Sequence, residues 1–226
     1  MKRFYKHVAI ADGAILLDGR PIKTPARATL IASVPALAEA IAEEWRGQSE
    51  ELDLRAMPMT GLAYDAIDRV APDPAAFAKP LAGYAETDLL CYRAESPPQL
   101  IAEEAAVWDP LLEWARGRYD VHFEITAGIV HAPQPAATVA RLRDALATRG
   151  PFALAAMSPL VTIGGSLVTA LAVAEGAIEA NEAFDATHVD ELWQARMWGE
   201  DALATQTRDI RRRDFASAAR FLHLLD

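Results

Sequence analysis

The sequence predicts an α+β protein: a small β-rich N-terminal domain with helices, followed by a mainly α-helical C-terminal domain. Three observations carry this. Two Asp-Gly pairs, Asp12-Gly13 and Asp18-Gly19, punctuate short apolar runs near the N-terminus, the residues that tolerate the positive φ of tight hairpin turns. Beyond residue 33 the apolar residues recur at helical spacing instead. The chain has 226 residues, 52% of them hydrophobic and 24% charged, which is enough for a real core and excludes disordered and fibrous classes.

Taken in order, "HVAIADGAILLDGRPIKTP" predicts two short strands around Asp12-Gly13 and a second turn at Asp18-Gly19, and "ATLIAS" suggests a further strand. Ser33 is the expected cap of a helix with Pro35 in its first turn, and Leu37, Ile41 and Trp45 share one face of it. "TGLAYDAIDRV" fits another helix, with Leu62, Ala66 and Val70 in line. Three prolines in residues 71–80 mark a joint, so the expected domains are 1–80, α+β, and 81–226, mainly helical. "LLCYRAE" reads as a returning strand or an extended link. From Pro97 the pattern is helical, with Pro110 as a break or kink. "VHFEITAGIVHAP" suggests a small hairpin at Ala127-Gly128, and one long helix is expected from about Val189 to the C-terminus.

A net charge of −10 and a pI near 5.0 argue against nucleic acid or an anionic membrane as partner. The longest apolar run, "GGSLVTALAVAEG", is too short to span a bilayer, so no stable membrane insertion is expected. A lone cysteine, Cys91, points to a reducing compartment, and no signal or transit pattern opens the sequence. The expected location is the cytoplasm.

Catalytic chemistry is hard to find. The five histidines, at 7, 122, 131, 188 and 223, show neither HExxH nor Cys/His spacing, so no metal site is expected, and no cofactor motif emerges. His122 and His131 could face each other across the expected hairpin. Cys91 sits in an apolar context that suits an inert core thiol. "TIGGS", residues 162–166, lacks the P-loop lysine; Gly164-Gly165 reads as a close-packed helix junction with Ser166 as cap. No GxSxG is present.

Residues 196–215, "RMWGEDALATQTRDIRRRDF", pose a sharper question, because Trp198, Gly199, Glu200 and Asp201 interrupt a helical pattern. On a continuous helix Glu200 lies within about 20° of Val189, Trp193 and Thr207, along a mostly apolar stripe. Two readings are open. In one, Arg196 and Glu200 form an ordinary surface pair, worth about 0.3 kcal/mol, with Trp198 in the core. In the other, the carboxylate is kept for a basic or hydrogen-bonding partner group, since an unmated buried ion is costly.

The chain resembles the Atp12 family, assembly chaperones of the F1 part of ATP synthase. The segments that carry the resemblance are "KRFYK" at 2–6, "LDGRPIKTPAR" at 17–27, "AEEW" at 42–45 and "MPMTGLAYDAIDRV" at 57–70. They continue with "YAETDLLCYRAE" at 84–95, "WDPLLEWA" at 108–115, "GSLVTALAVAEG" at 165–176 and "VDELWQARMWGED" at 189–201. Their order and spacing together are specific, although Gly61, Gly164 and Ala202-Leu203 depart from the family pattern.

The resemblance implies a non-enzymatic protein that binds the free F1 α subunit through its nucleotide-binding domain and prevents its aggregation before α pairs with β. It also implies a bacterial cytoplasmic member, and it maps the family's acidic Trp-Gly segment onto Trp198, Gly199, Glu200 and Asp201. That favours the partner reading of Glu200, with Asp201, Arg196, Trp198 and Trp193 as companion binding residues. The runner-up is a small-molecule enzyme with a carboxylate/histidine site between the two domains; a third is a stable structural subunit. Capping by a transient, polar binder suits the acidic charge, because charge aids rate and selectivity more than affinity.

Overall fold

The computed structural model describes residues 2–226. Strands β1 (Val8–Ala11), β2 (Ala14–Leu17) and β3 (Arg20–Pro21) form an antiparallel meander in the order β1-β2-β3. Both Asp-Gly pairs turn with positive φ at both positions, 50° and 76° at Asp12-Gly13 and 48° and 79° at Asp18-Gly19. This backbone matches the twist of the flanking strands. The Asp18 carboxylate also accepts the amides of Lys6 and His7, which fastens the approach to β1 to the second turn. The expected "ATLIAS" strand does not form as a unit. It makes isolated bridges, Ala14 to Ile31 and Lys23 to Thr29, because its amides reach back singly, Leu30 to Ile22 and Ala32 to Gly13.

Helix α1 (Pro35–Arg46) starts on Pro35 as expected, but Val34 is its cap residue and no side chain caps it, so Ser33 does not. Leu37, Ile41 and Trp45 are all buried. Helix α2 (Pro58–Asp65) widens into a π turn over Ala66–Val70, one continuous rod where a single α-helix was expected. Its N-terminus is capped from α1: the Glu44 carboxylate accepts the Met59 and Thr60 amides at 2.7 and 2.8 Å and the Thr60 hydroxyl at 2.7 Å. A carboxylate there satisfies orphan N–H groups and faces the positive end of the helix dipole.

The proline-rich stretch 71–80 is not a linker. It folds as α3 (Pro74–Ala82), with Asp73 as N-cap accepting the Ala76 amide and Pro74 at the first position, where proline removes no needed donor. The boundary expected at residue 80 therefore falls inside a helix, and α3 packs against helices further along the chain.

Strand β4 (Tyr92–Arg93) pairs in parallel with β5 (Thr126–Ala127). The hairpin expected at Ala127-Gly128 is thus absent: β5 finds its partner upstream rather than in the following residues. Between them runs α4 (Pro98–Tyr119), which continues past Pro110 without a break and ends on Asp120 in the left-handed conformation. Helices α5 (Ala136–Ala147), α6 (Pro151–Gly164), α7 (Leu167–Ala174) and α8 (Ala180–Thr187) follow.

Helix α6 forms the centre. Leu154, Ala155, Met157, Leu160 and Val161 are buried, and its end passes so close to its neighbours that a Cβ on Gly164 would meet Thr187 at 3.3 Å and Phe215 at 3.5 Å. Gly165 then turns with φ 66° and Ser166 caps α7 by accepting the Thr169 amide, the junction expected from "TIGGS". Asp88, fully buried, accepts the amides of Leu90 and Val168, tying the β4 region to the start of α7. Glu175 binds Arg118, Arg149 and the Tyr119 hydroxyl, tying the end of α7 to α4. Acids that look like surface charges in the sequence are internal fasteners between segments far apart in the chain.

Candidate partner-binding site

The long C-terminal helix is two helices. Helix α9 (Val189–Trp198) stops at Gly199, whose φ of 95° and ψ of 159° an L-residue avoids, and α10 (Ala202–His223) begins three residues later. Nothing lies within 4 Å of where a Cβ would stand on Gly199, so the glycine serves the bend and not a close contact. Asp201 starts the new helix, its Oδ1 accepting the Ala204 amide at 2.8 Å. One carboxylate of the acid pair is therefore an N-cap.

The bend overturns the helical-wheel placement of Glu200. The residue sits in the turn, exposed, and its carboxylate accepts both contacts of the Arg208 Nη2, at 2.7 and 2.9 Å, and the Thr205 hydroxyl at 2.6 Å. These hydrogen bonds, Thr205 first and Arg208 second, hold the Glu200 carboxyl below the usual carboxylate range. Arg208 is only 7% exposed in its side chain and also reaches Glu191 of α9 at 3.4 Å. A single guanidinium thus bridges α9, the bend and α10.

Arg196 does not pair with Glu200. It crosses to Glu103 of α4 at 2.5 Å and pins α9 to that helix. Trp198 is not in the core either: it is 75% exposed, touching Trp193 edge-to-face with ring centroids 5.7 Å apart. Met197 and Leu203, close to it in sequence, are exposed as well. The five expected residues are brought into one region, but as a bend with an apolar crest and a locked carboxylate, not as a stripe on one helix.

Glu103, Glu191, Thr205 and Arg208 escaped the sequence reading. Arg208 lies eight residues from Glu200, a separation that places partners together only if the chain bends, and the one signal for that bend was Gly199 itself.

Of the histidines, His188 is buried, stacked on Phe184 at 3.8 Å, with its Nδ1 against the Phe184 carbonyl at 2.9 Å; burial lowers its pKa. His131 contacts the Tyr92 hydroxyl and does not meet His122 across a hairpin. The Cys91 thiol is buried and pushed up to about 12. Among the described residues, no group of three His, Cys, Asp or Glu side chains is placed to hold a metal ion, and no helix is long and apolar enough to cross a membrane.

Residues 2–116, just over half of the chain, match the family described as ATP12 chaperone protein. The chain belongs to the ATP12 chaperone family. It is 29% identical over 237 aligned positions to "Protein atp12, mitochondrial" of Schizosaccharomyces pombe, covering 96% of this chain and 81% of that protein. The crystal structure of Atp12 from Paracoccus denitrificans is 40% identical, with a TM-score of 0.94 over 100% of this chain and 98% of the other. A mutant of the P. denitrificans protein matches at 39% identity with the same TM-score and the same coverage of each chain. The bend at Gly199 lies beyond the family-matched residues but within the span these ATP12 structures share.

Proposed function

We propose that this ATP12 family chaperone holds the free α subunit of F1 ATP synthase, through the nucleotide-binding domain of α, until β takes its place. The observation that carries the reading is the crest at the α9–α10 bend. Trp198, Met197 and Leu203 are exposed within three residues of Glu200, whose carboxylate is fixed by Arg208. Exposed apolar side chains grouped around an oriented charge are what a binding surface needs, and tryptophan is the residue type most enriched among binding hot spots. Glu200 offers its outer face to a basic or hydrogen-bonding group while Arg208 keeps its rotamer fixed, so less entropy is lost on binding.

In this reading the helical part of the chain, from α4 onward, presents the surface, and the α+β N-terminal part supports it. Glu200, Trp198 and Trp193 would touch the partner, while Arg196 and Asp201 position the bend from either side. The reading is of a binder and not an enzyme: His188 is buried, stacked and hydrogen-bonded to main chain, which leaves a carboxylate/histidine mechanism on it unfavoured. A bacterial cytoplasmic setting suits a chain whose only cysteine is a buried free thiol.

The test is capture of isolated α subunit by the purified protein, with suppression of α aggregation as the second readout. Release on adding β is expected. An α subunit that aggregates at the same rate with and without the protein would overturn the reading.

A further inference from the structure

Among the described residues, seven of the ten exposed large hydrophobic side chains fall in two stretches, 125–130 and 197–210. The stretches are far apart in sequence, yet each contributes to one groove of about 960 Å³: Ile129 from the first and Trp198 from the second both line it. The crest of the bend therefore continues into a concave surface.

Ile129 is held out by its backbone. The β4–β5 ladder is extended by the Gly128 amide, which donates to the Arg93 carbonyl at 2.9 Å, and Gly128 then turns with φ 76°. A Cβ on Gly128 would stand 3.0 Å from the Glu95 carboxylate, so the turn is closely backed. Ile129 leaves this turn 99% exposed. Below it the floor is fixed: Arg93 lies over the Trp108 ring at 5.0 Å, and Trp108 donates to the Ala186 carbonyl. A bulky apolar side chain kept in water on a well-backed turn is the mark of an interaction site.

The charge of the groove is one-sided. Its two arginines are already neutralised, Arg93 by Asp109 and Arg211 by Glu191. Glu95 and Asp190 also line it, and neither is ion-paired among the described residues; Asp190 only accepts a hydrogen bond from Gln194.

We propose that this groove receives an extended segment of the partner carrying a bulky apolar side chain with a lysine or arginine beside it. The apolar group would sit between Ile129 and Trp198, and the cation would meet Glu95 or Asp190. This rests on the reading that the partner is the free α subunit, and it deepens that reading by adding a second wall, from the β4–β5 region, to the bend.

The test uses the full chain and isolated α subunit. Ile129→Asp is expected to weaken capture about tenfold or more, as for a residue near the centre of an interface. Ile129→Leu should stay within about twofold, and the double variant Glu95→Lys with Asp190→Lys should weaken capture and reduce its loss with added salt. All three should melt like the parent, because Ile129, Glu95 and Asp190 are exposed. If Ile129→Asp captures α as well as the parent while Trp198→Ser does not, the groove proposal falls and the α-subunit reading stands. If the parent itself fails to hold α, both fall.

Discussion

Arg208 holds Glu200 by two contacts, 2.7 and 2.9 Å, across the bend between α9 and α10. The cation is nearly buried and the carboxylate is exposed, so the pair is asymmetric: Arg208 depends on Glu200 for its charge balance more than the reverse. If Glu200 serves the partner from a position that Arg208 sets, the two residues act as a unit. Glu200→Gln and Arg208→Gln should each weaken capture of α, and the double variant should be little worse than either, since groups in one network are not additive. Binding measured over the four-protein cycle checks this. Additive losses would mean that the carboxylate acts alone.

Trp198 separates binding from folding. Its ring is mostly in water, with Trp193 as its aromatic neighbour, so Trp198→Ser should change stability by no more than about 0.5 kcal/mol. Loss of a hot-spot tryptophan typically costs about 2 kcal/mol or more of binding, roughly thirtyfold. A thermal melt paired with a binding titration on isolated α gives both numbers. A large drop in melting temperature with unchanged capture would reassign Trp198 to structure.

The hairpin turns, the Leu37–Ile41–Trp45 face and the Gly164-Gly165 junction were legible because each rests on local chemistry: positive φ, helical period, and a cap beside a glycine pair. What was not legible is what depends on partners distant in sequence. The β5 residues pair with β4 across an intervening 22-residue helix, and no turn signal could announce that. Residues 71–80 read as a joint because prolines punctuate loops, yet Pro74 at a first helical position starts a helix. At the candidate site the acids and tryptophans named by the resemblance lie at one bend, and their expected geometry does not hold, because a continuous helical period does not run through Gly199. The ion pair followed the wrong ruler: Arg196 and Glu200 are four residues apart, while the pairs that form span eight and ninety-three positions.

Trp45 tests the core beneath the N-terminal sheet. It is buried against Tyr5, whose hydroxyl donates to the Trp45 carbonyl at 2.6 Å. Trp45→Ala should cost about 3–5 kcal/mol, through lost contacts and the cavity left behind. Its indole Nε1 has no hydrogen-bond partner among the described residues, so Trp45→Phe removes a polar group that is already unsatisfied and should cost clearly less than Trp45→Ala. Denaturant unfolding of both variants decides it. Equal costs would mean that the indole N–H contributes after all.

Asp88 makes stability depend on pH in a direction opposite to that of an exposed, ion-paired acid. It is fully buried, and burial pushes its pKa up to about 6, against the lowering effect of the Val168 amide, the Ser166 side chain and the Leu90 amide. In the unfolded chain the same group titrates near 3.9. Between these values the native state binds more protons than the unfolded state, so stability falls as pH rises. The contribution is fully present below about pH 4 and is lost as the pH passes through about 6, by up to about 3 kcal/mol at 1.36 kcal/mol per pH unit of separation. Asp88→Asn removes the titration and one acceptor. It should be less stable than the parent, with the difference largest near pH 4 and smaller at pH 7. Denaturant midpoints of both proteins from pH 4 to pH 7 measure the two slopes. A difference that grows towards pH 7 would show that the helix-terminal amides, not burial, govern this carboxylate.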